Sequence, residues 1–255
     1  MHIQTAGHGP DIVLIHGWGM HGGIFHELTE RLAQSCRVHV VDLPGHGFSR
    51  DDAHGFDLLD SAARLSQMLP PSIWVGWSLG GLVAMRAAIE SPQAVHGLGL
   101  IAASPRFVVT DNWKPGVALQ VFEQFGADLD RDYRGTLERF LALEVQGDEH
   151  AMVGLRALRS RLFERGEPDP AVLAQGLRAL QNCDLRDQLS RIDCPNWWIA
   201  GSRDRLVPAA AMQWSAQAAR GRFHSVARAG HAPFITHGEE VLGCIRVLVQ
   251  ETAVA

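Results

Sequence analysis

A serine stands between two glycines in Gly76-Trp77-Ser78-Leu79-Gly80, with an apolar run before it and another after it. A serine hydroxyl is a weak nucleophile. It needs a base, and the base needs an acid to orient it. When the serine comes first in the chain on a strand-to-helix turn, the acid should follow and the histidine should come last. The stretch AGSRDRLVP places Asp204 after an apolar strand and before a proline-started helix, and VARAGHAPF places His231 after the last strand pattern. Other acids fit less well. Asp193 precedes its strand and so sits at the wrong sheet edge. Asp184 and Asp187 read as helix or loop residues. Asp42 follows a strand in VVDLPGHGFS but precedes the serine. The remaining histidines are expected at the surface or in loops.

The two glycines leave room for a sharp turn that would expose the Ser78 hydroxyl. The plainer alternative is an ordinary strand-to-helix loop. The Leu79 amide would lie at a helix N-terminus, where it can face a developing negative charge. A second donor is expected from His16-Gly17-Trp18-Gly19, after the first strong strand, through the Trp18 backbone N–H. The plainer reading of that stretch is a tight turn; its placement favours the oxyanion role.

These residues require a particular scaffold. Apolar runs at Asp11–His16, Val38–Leu43, Ile73–Trp77 and Leu98–Ala103 alternate with helical patterns at Ile24–Ser35, Phe56–Leu69 and Leu79–Glu90. Such alternation predicts a mostly parallel sheet with helices on both faces. From Phe107 to Cys183 no strand is expected. Helices are expected over Val117–Phe125, Asp130–Val145, Glu149–Glu164 and Pro170–Leu180, broken at Gly147 and Gly166-Glu167-Pro168. The strand pattern resumes at Asn196–Asp204 and Arg222–Val226, with helices over Pro208–Ala219 and Glu239–Gln250. The expected organisation is an α/β core over 1–106 and 184–255, with a helical cap, 107–183, inserted in it.

The 255 residues, 46% hydrophobic and 20% charged, suit one globular unit with a substantial core. A net charge of −5 supplies no global basic field, so no nucleic-acid partner is expected. No apolar run reaches membrane-spanning length and the first residues lack a leader pattern, so a cytoplasmic protein with no membrane partner is expected. Cys36, Cys183, Cys194 and Cys244 are scattered and read as reduced thiols. The 13 histidines show no ligand spacing, so neither a metal nor another cofactor is expected. A monomer is expected.

Taken in order, HGWG, DLPGHGFS, GWSLGG, GSRDRLVP and GHAPF resemble the α/β-hydrolase superfamily across nearly the whole chain. Tryptophan in both HGWG and GWSLGGLVA, together with ERFLALEVQG, CDLRDQL and AGHAPFITHGEE, resembles the pimeloyl-acyl-carrier-protein methyl ester esterases of biotin synthesis. That resemblance implies hydrolysis of a terminal methyl ester on a carrier-linked pimeloyl chain, releasing methanol. It implies Ser78 as nucleophile, His231 as general base and then acid, and Asp204 as its orienting acid. It also implies Trp18 and Phe140 as acyl-chain contacts. Phe140 reads equally well as a core residue, spaced i, i+3 with Leu137 and Leu143.

Arginine concentrates between positions 131 and 165. Arg156 and Arg159 share one helix face. A solvated face paired with Glu138, Glu149 or Glu164 explains them on pattern alone. The resemblance implies that Arg139 and Arg156 dock an acidic carrier protein, with Arg159 and Arg134 beside them. Met152 stands where that family carries a further arginine. Rival functions are a broad-specificity short-chain carboxylesterase or a C–C bond hydrolase with the same triad. A serine at the elbow disfavours an aspartate-nucleophile dehalogenase, and an intact Ser, Asp and His disfavours a non-enzymatic binding module.

Overall fold

The computed structural model describes residues 1–254. Seven strands form one sheet: β1 (His2–Gly7), β2 (Asp11–Ile15), β3 (Arg37–Asp42), β4 (Ser72–Trp77), β5 (Val95–Ile101), β6 (Asn196–Gly201) and β7 (Arg222–Val226), in the order β1-β3-β2-β4-β5-β6-β7. All neighbours are parallel except β1, which pairs antiparallel with β3 along the edge. Every residue of β4 is buried, as a central strand covered on both faces requires. The sequence pattern did not predict β1. Its residues lie mostly exposed or half-buried, so no apolar period marks it.

The flanking helices are α1 (His26–Leu32), α2 (Leu58–Met68), α3 (Leu79–Glu90), α7 (Ala209–Ala218), α8 (Pro233–Thr236) and α9 (Gly238–Thr252). α2 packs on α3, and α1 on α9. Between β5 and β6 lie α4 (Leu119–Glu144), α5 (Ala151–Leu162) and α6 (Pro170–Asn182). α4 packs against both α5 and α6. The expected pair of helices over 117–145 is one run, interrupted at Asp132 (φ −155°, ψ 79°). The Asp132 carboxylate accepts the Gly135 N–H at 2.9 Å and its carbonyl accepts the Thr136 hydroxyl at 2.7 Å. Asp132 thus serves as an internal N-cap, restarting the helix where the ladder breaks. No helix among the described residues is long and apolar enough to cross a membrane.

The chain passes from β2 outward to β3 and then crosses back to β4 on the other side of β2. Ligand sites in open parallel sheets form at such a reversal, beyond the carboxyl ends of the strands. Trp18 follows β2 and Ser78 follows β4, and these two strands are hydrogen-bonded neighbours.

Candidate active site

Ser78 occupies the turn between β4 and α3 with φ 53° and ψ −115°, a strained conformation for a residue with a side chain. Its neighbours explain the two glycines. A Cβ on Gly76 would run into the Gly80 carbonyl, and a Cβ on Gly80 into the Ile15 carbonyl of β2. The turn closes only because both lack side chains. The Ser78 N–H is held by the Ile101 carbonyl at 3.0 Å, at the end of β5.

Asp204 lies in the loop after β6, and His231 in the loop after β7. His231 Nδ1 donates to Asp204 Oδ2 at 2.8 Å, since a carboxylate only accepts; both side chains are fully buried. Asp204 Oδ1 accepts the N–H groups of Leu206 (2.8 Å) and Val207 (2.9 Å), which fix the carboxylate in the loop. His231 Nε2 is buried with no hydrogen-bond partner among the described residues. The Trp77 indole N–H, one residue before Ser78, donates to the His231 carbonyl at 2.8 Å. That bond ties the histidine loop to the strand end that carries the serine.

Among the described residues, the N–H groups of Trp18 and Leu79 meet no acceptor. His16 holds the Trp18 loop. Its Nδ1 donates to the Gly17 carbonyl at 2.8 Å and its Nε2 accepts the Leu43 N–H at 3.0 Å. Burial pushes the His16 imidazole down to about 3, so it stays neutral and keeps this one donor and one acceptor. His16, His21 and His46 are all fully enclosed rather than surface residues. Local sequence could not show this, because their enclosure comes from distant segments. His21 Nε2, for example, donates to the Arg161 carbonyl at 2.6 Å, 140 residues away.

Asp42 is likewise occupied. It accepts the Gly22 N–H at 2.7 Å, the Phe48 N–H at 2.9 Å and the Arg165 guanidinium at 3.1 Å. Burial opposes its charge, yet the two N–H groups and the guanidinium hold its carboxyl below the ordinary range. Arg165 is therefore a partly buried tie between helical segment and core. Asp184 pairs with Arg186 and Arg106, and Asp193 lies out in solvent.

The helical segment lies over Trp18 and Leu79. The Trp18 indole N–H donates to the Leu173 carbonyl of α6 at 2.8 Å. A Cβ on Gly176 would sit 2.7 Å from the Trp18 ring and 3.3 Å from the Leu79 side chain. Phe140 is buried edge-on to Trp18 at 4.7 Å between centroids, and Phe125 meets Phe140 edge-on at 5.4 Å. Ser78 is only 3% exposed beneath this cover. A cavity of about 540 Å³ opens elsewhere, against Gln4, Gly22, Phe48, Arg161 and Arg165.

The three arginines expected at a docking face lie on the outside of α4 and α5. Arg139 bonds Asp128 at 3.2 Å, and Arg159 approaches Glu138 at 3.9 Å. Arg156 is exposed and makes no ion pair among the described residues. Beside them Met152 and Val153 are 73% and 62% exposed.

Sequence reasoning also passed over Glu144, the last residue of α4. It is 1% exposed, and neither carboxylate oxygen has a hydrogen-bond partner among the described residues. Its carbonyl accepts the His231 N–H at 2.9 Å. Burial, with the Asp204 charge added, raises its carboxyl well above the ordinary value. At the surface, Glu149, His150 and His237 bring ligand atoms within 4.8 Å of one another, but Arg228 already pairs with Glu149 at 3.0 Å. Linear spacing could not reveal that trio, because His237 lies far along the chain.

The family model described as alpha/beta hydrolase family matches residues 12–243. The pimeloyl-[acyl-carrier protein] methyl ester esterase of Xanthomonas oryzae pv. oryzae is 52% identical over 242 residues, covering 94% of this chain and 95% of that protein. The protein of the same name from Stenotrophomonas maltophilia is 50% identical over 250 residues, covering 98% and 96%. Among solved structures, an esterase from Exiguobacterium antarcticum superimposes with a TM-score of 0.88 at 23% identity, covering 97% of this chain and 94% of that one. A bromoperoxidase from Bacillus anthracis gives a TM-score of 0.89 at 20% identity, covering 97% and 94%. Those two likenesses speak for the fold alone. The serine elbow, the buried Asp–His pair and the relatives at half identity agree: this chain belongs to the alpha/beta hydrolase family, among the pimeloyl-[acyl-carrier protein] methyl ester esterases.

Proposed function

We propose that this chain hydrolyses the methyl ester of a pimeloyl group carried by acyl carrier protein, through an acyl-enzyme on Ser78. His231 Nε2 takes the Ser78 proton as Oγ attacks the ester carbonyl. The Trp18 and Leu79 N–H groups receive the oxyanion, each contributing roughly 10²–10³-fold. The tetrahedral intermediate collapses, and methanol leaves with the proton from His231. Water, deprotonated by the same imidazole, then attacks the acyl-enzyme and frees the pimeloyl carboxylate. Asp204 orients the ring so that Nε2 faces the chemistry, and offsets the charge of the imidazolium.

The observation that carries this mechanism is the buried 2.8 Å Asp204–His231 pair, with its outer nitrogen unpartnered, behind a strained serine elbow. The substrate rests on relatives at about 50% identity over nearly the whole chain.

We assign residues 107–183 as a cap over the acyl slot. Phe140, Phe125 and Trp18 form the slot wall, and their stack must part to admit the chain. The exposed face of α5 is the carrier-docking surface. Arg156 and Arg159 meet acidic side chains, Arg139 extends the patch, and Met152 and Val153 supply an apolar centre. A single chain suffices for the chemistry, because it supplies all three catalytic residues. Its four free cysteines suit the reducing cytoplasm.

Methanol release from a carrier-linked methyl pimeloyl ester tests the function. Wild type should turn it over, and a folded Ser78→Ala protein should lose about 10⁴-fold or more. Retention of most activity by Ser78→Ala would sink the mechanism. Turnover of simple methyl esters without turnover of the carrier-linked one would sink the substrate assignment.

A further inference from the structure

Glu144 is a buried acid that the esterase mechanism does not use. It ends α4, in the segment that covers the site, and is 1% exposed. Both of its carboxylate oxygens lack a donor. Buried carboxylates are ordinarily paired or multiply hydrogen-bonded, because an isolated charge in a desolvated place is very costly. No cation among the described residues pairs with it. The Arg203 side chain donates to the Gly147 carbonyl at 3.2 Å, and Arg228 is engaged by Glu149. Asp148 is committed to the N–H groups of His150 and Gly230 and to the Thr236 hydroxyl. The charged group whose field reaches Glu144 is Asp204, of the same sign.

The Glu144 main chain, meanwhile, is part of the site. Its carbonyl accepts the His231 N–H at 2.9 Å, while Asp148 Oδ2 takes the adjacent Gly230 N–H at 2.7 Å. These two bonds, both from the end of α4 and the turn after it, fix the His231 main chain from the cap side. Trp77 fixes it from the core side.

Building on the esterase mechanism above, we infer that Glu144 is a positioning residue. It is a neutral acid packed behind the Asp204–His231 pair, its carbonyl anchors His231, and loss of its proton sets the alkaline limit of turnover. An ionised Glu144 requires water at a dry seam. Hydrating that seam parts the end of α4 from residues 230 and 231 and loosens the general base. Burial and the neighbouring Asp204 both act to keep the proton on.

The sign of the stability effect follows. The folded chain holds a proton that the unfolded chain releases above the ordinary carboxyl pKa of 4.5. Wild type therefore loses stability relative to a neutral isostere as pH rises above that value.

The test uses full-length wild type and Glu144→Gln, which keeps the shape of the neutral acid. Thermal melts from pH 5 to 8 read the protonation state. The Tm of Glu144→Gln minus that of wild type should grow steadily with pH. Turnover of a short-chain methyl ester, followed in a pH-stat from pH 6 to 10, reads the positioning role. At pH 7 the variant should keep kcat within about threefold of wild type, since one neutral group replaces another. On the alkaline side wild type should fall off while the variant stays flat, a gap of about fivefold or more.

A constant Tm difference across pH 5–8 would overturn the neutral state, and superimposable alkaline limbs would overturn the link to turnover. Should Glu144→Gln fail to fold, Glu144→Met, apolar and of similar length, supplies both readouts. Failure of both neutral variants to fold would overturn the inference, because the seam must accept a neutral residue. A wild-type chain that turns over no ester would fail the esterase reading and the kinetic half together, while the melts still decide the protonation state.

Discussion

Trp77→Phe separates the positioning of His231 from the presence of the catalytic groups. The Trp77 indole is fully buried, donates to the His231 carbonyl at 2.8 Å and packs edge-on against Phe234 at 5.1 Å between centroids. Phenylalanine keeps an aromatic ring in β4 but removes the donor and some volume. Leaving a buried carbonyl without a partner costs about 1–3 kcal/mol. The smaller ring costs a further ~1–2 kcal/mol, a part of the ~3–5 kcal/mol for a buried tryptophan cut to alanine. At ~2–4 °C per kcal/mol for a chain of this size, Tm should fall by roughly 4–20 °C. Freed on its core side, His231 should drift from its aligned position. A displacement near 1 Å can cost about 10²-fold, so kcat should fall by ~10- to 100-fold with KM little changed. Thermal melts and steady-state kinetics on a short methyl ester, both well below the lowered Tm, provide the numbers. A Tm loss with kcat within about twofold of wild type would refute the claim that Trp77 holds the base in place. An unchanged Tm would refute the energetic value of the bond itself.

Asp204→Asn should lower kcat by about 10⁴-fold with little change in binding, because the amide still meets His231 but favours the wrong tautomer; near wild-type kinetics would remove Asp204 from the triad. Charge reversal at Arg156 and Arg159 should reduce kcat/KM on a carrier-linked ester, most at low ionic strength, and leave a small free ester unaffected. Equal loss on both substrates would indicate a damaged cap, and no loss on either would remove that docking face. Arg165→Met should destabilise the chain by about 2–4 kcal/mol in urea titration, somewhat less than the ~3–5 kcal/mol for breaking a buried pair because Asp42 keeps two N–H donors. The loss should shrink as pH falls and Asp42 gains a proton, and a cost under about 0.5 kcal/mol would show that the tie contributes nothing.

The parts legible in the sequence were those that local chemistry forces. Central parallel strands must be continuously apolar, so β2 to β6 stand out. The turn at Ser78 admits no side chain at 76 or 80, so the glycines announce it. Asp204 and His231 each follow a strand, and their loops carry the proline or glycine that ends it. What escaped was set by distant partners. β1 is an edge strand with polar residues on both faces. The break in α4 was expected between Phe125 and Asp130, yet falls at Asp132, where a side chain and a carbonyl recapture the orphaned groups. His16 reads as one more loop histidine until Leu43 closes on its ring. Glu144 carries no mark in the sequence, and only the packing of α4 against residues 230 and 231 encloses it.

The stitching of His231 to the end of α4 also bears on how this fold diversifies. Helical inserts between the fifth and sixth strands look like exchangeable parts, each bringing its own specificity to a constant engine. Here the engine is not constant. The insert supplies the carbonyl at 144 and the carboxylate at 148 that hold the main chain of 230 and 231. A graft that swaps only residues 107–143 leaves the stitches behind and preserves the base. One that swaps 107–183 takes them away, and its recipient must rebuild them before any new substrate preference can be expressed. For this chain, a graft that keeps the histidine stitched in place keeps positions 144 to 148 as well.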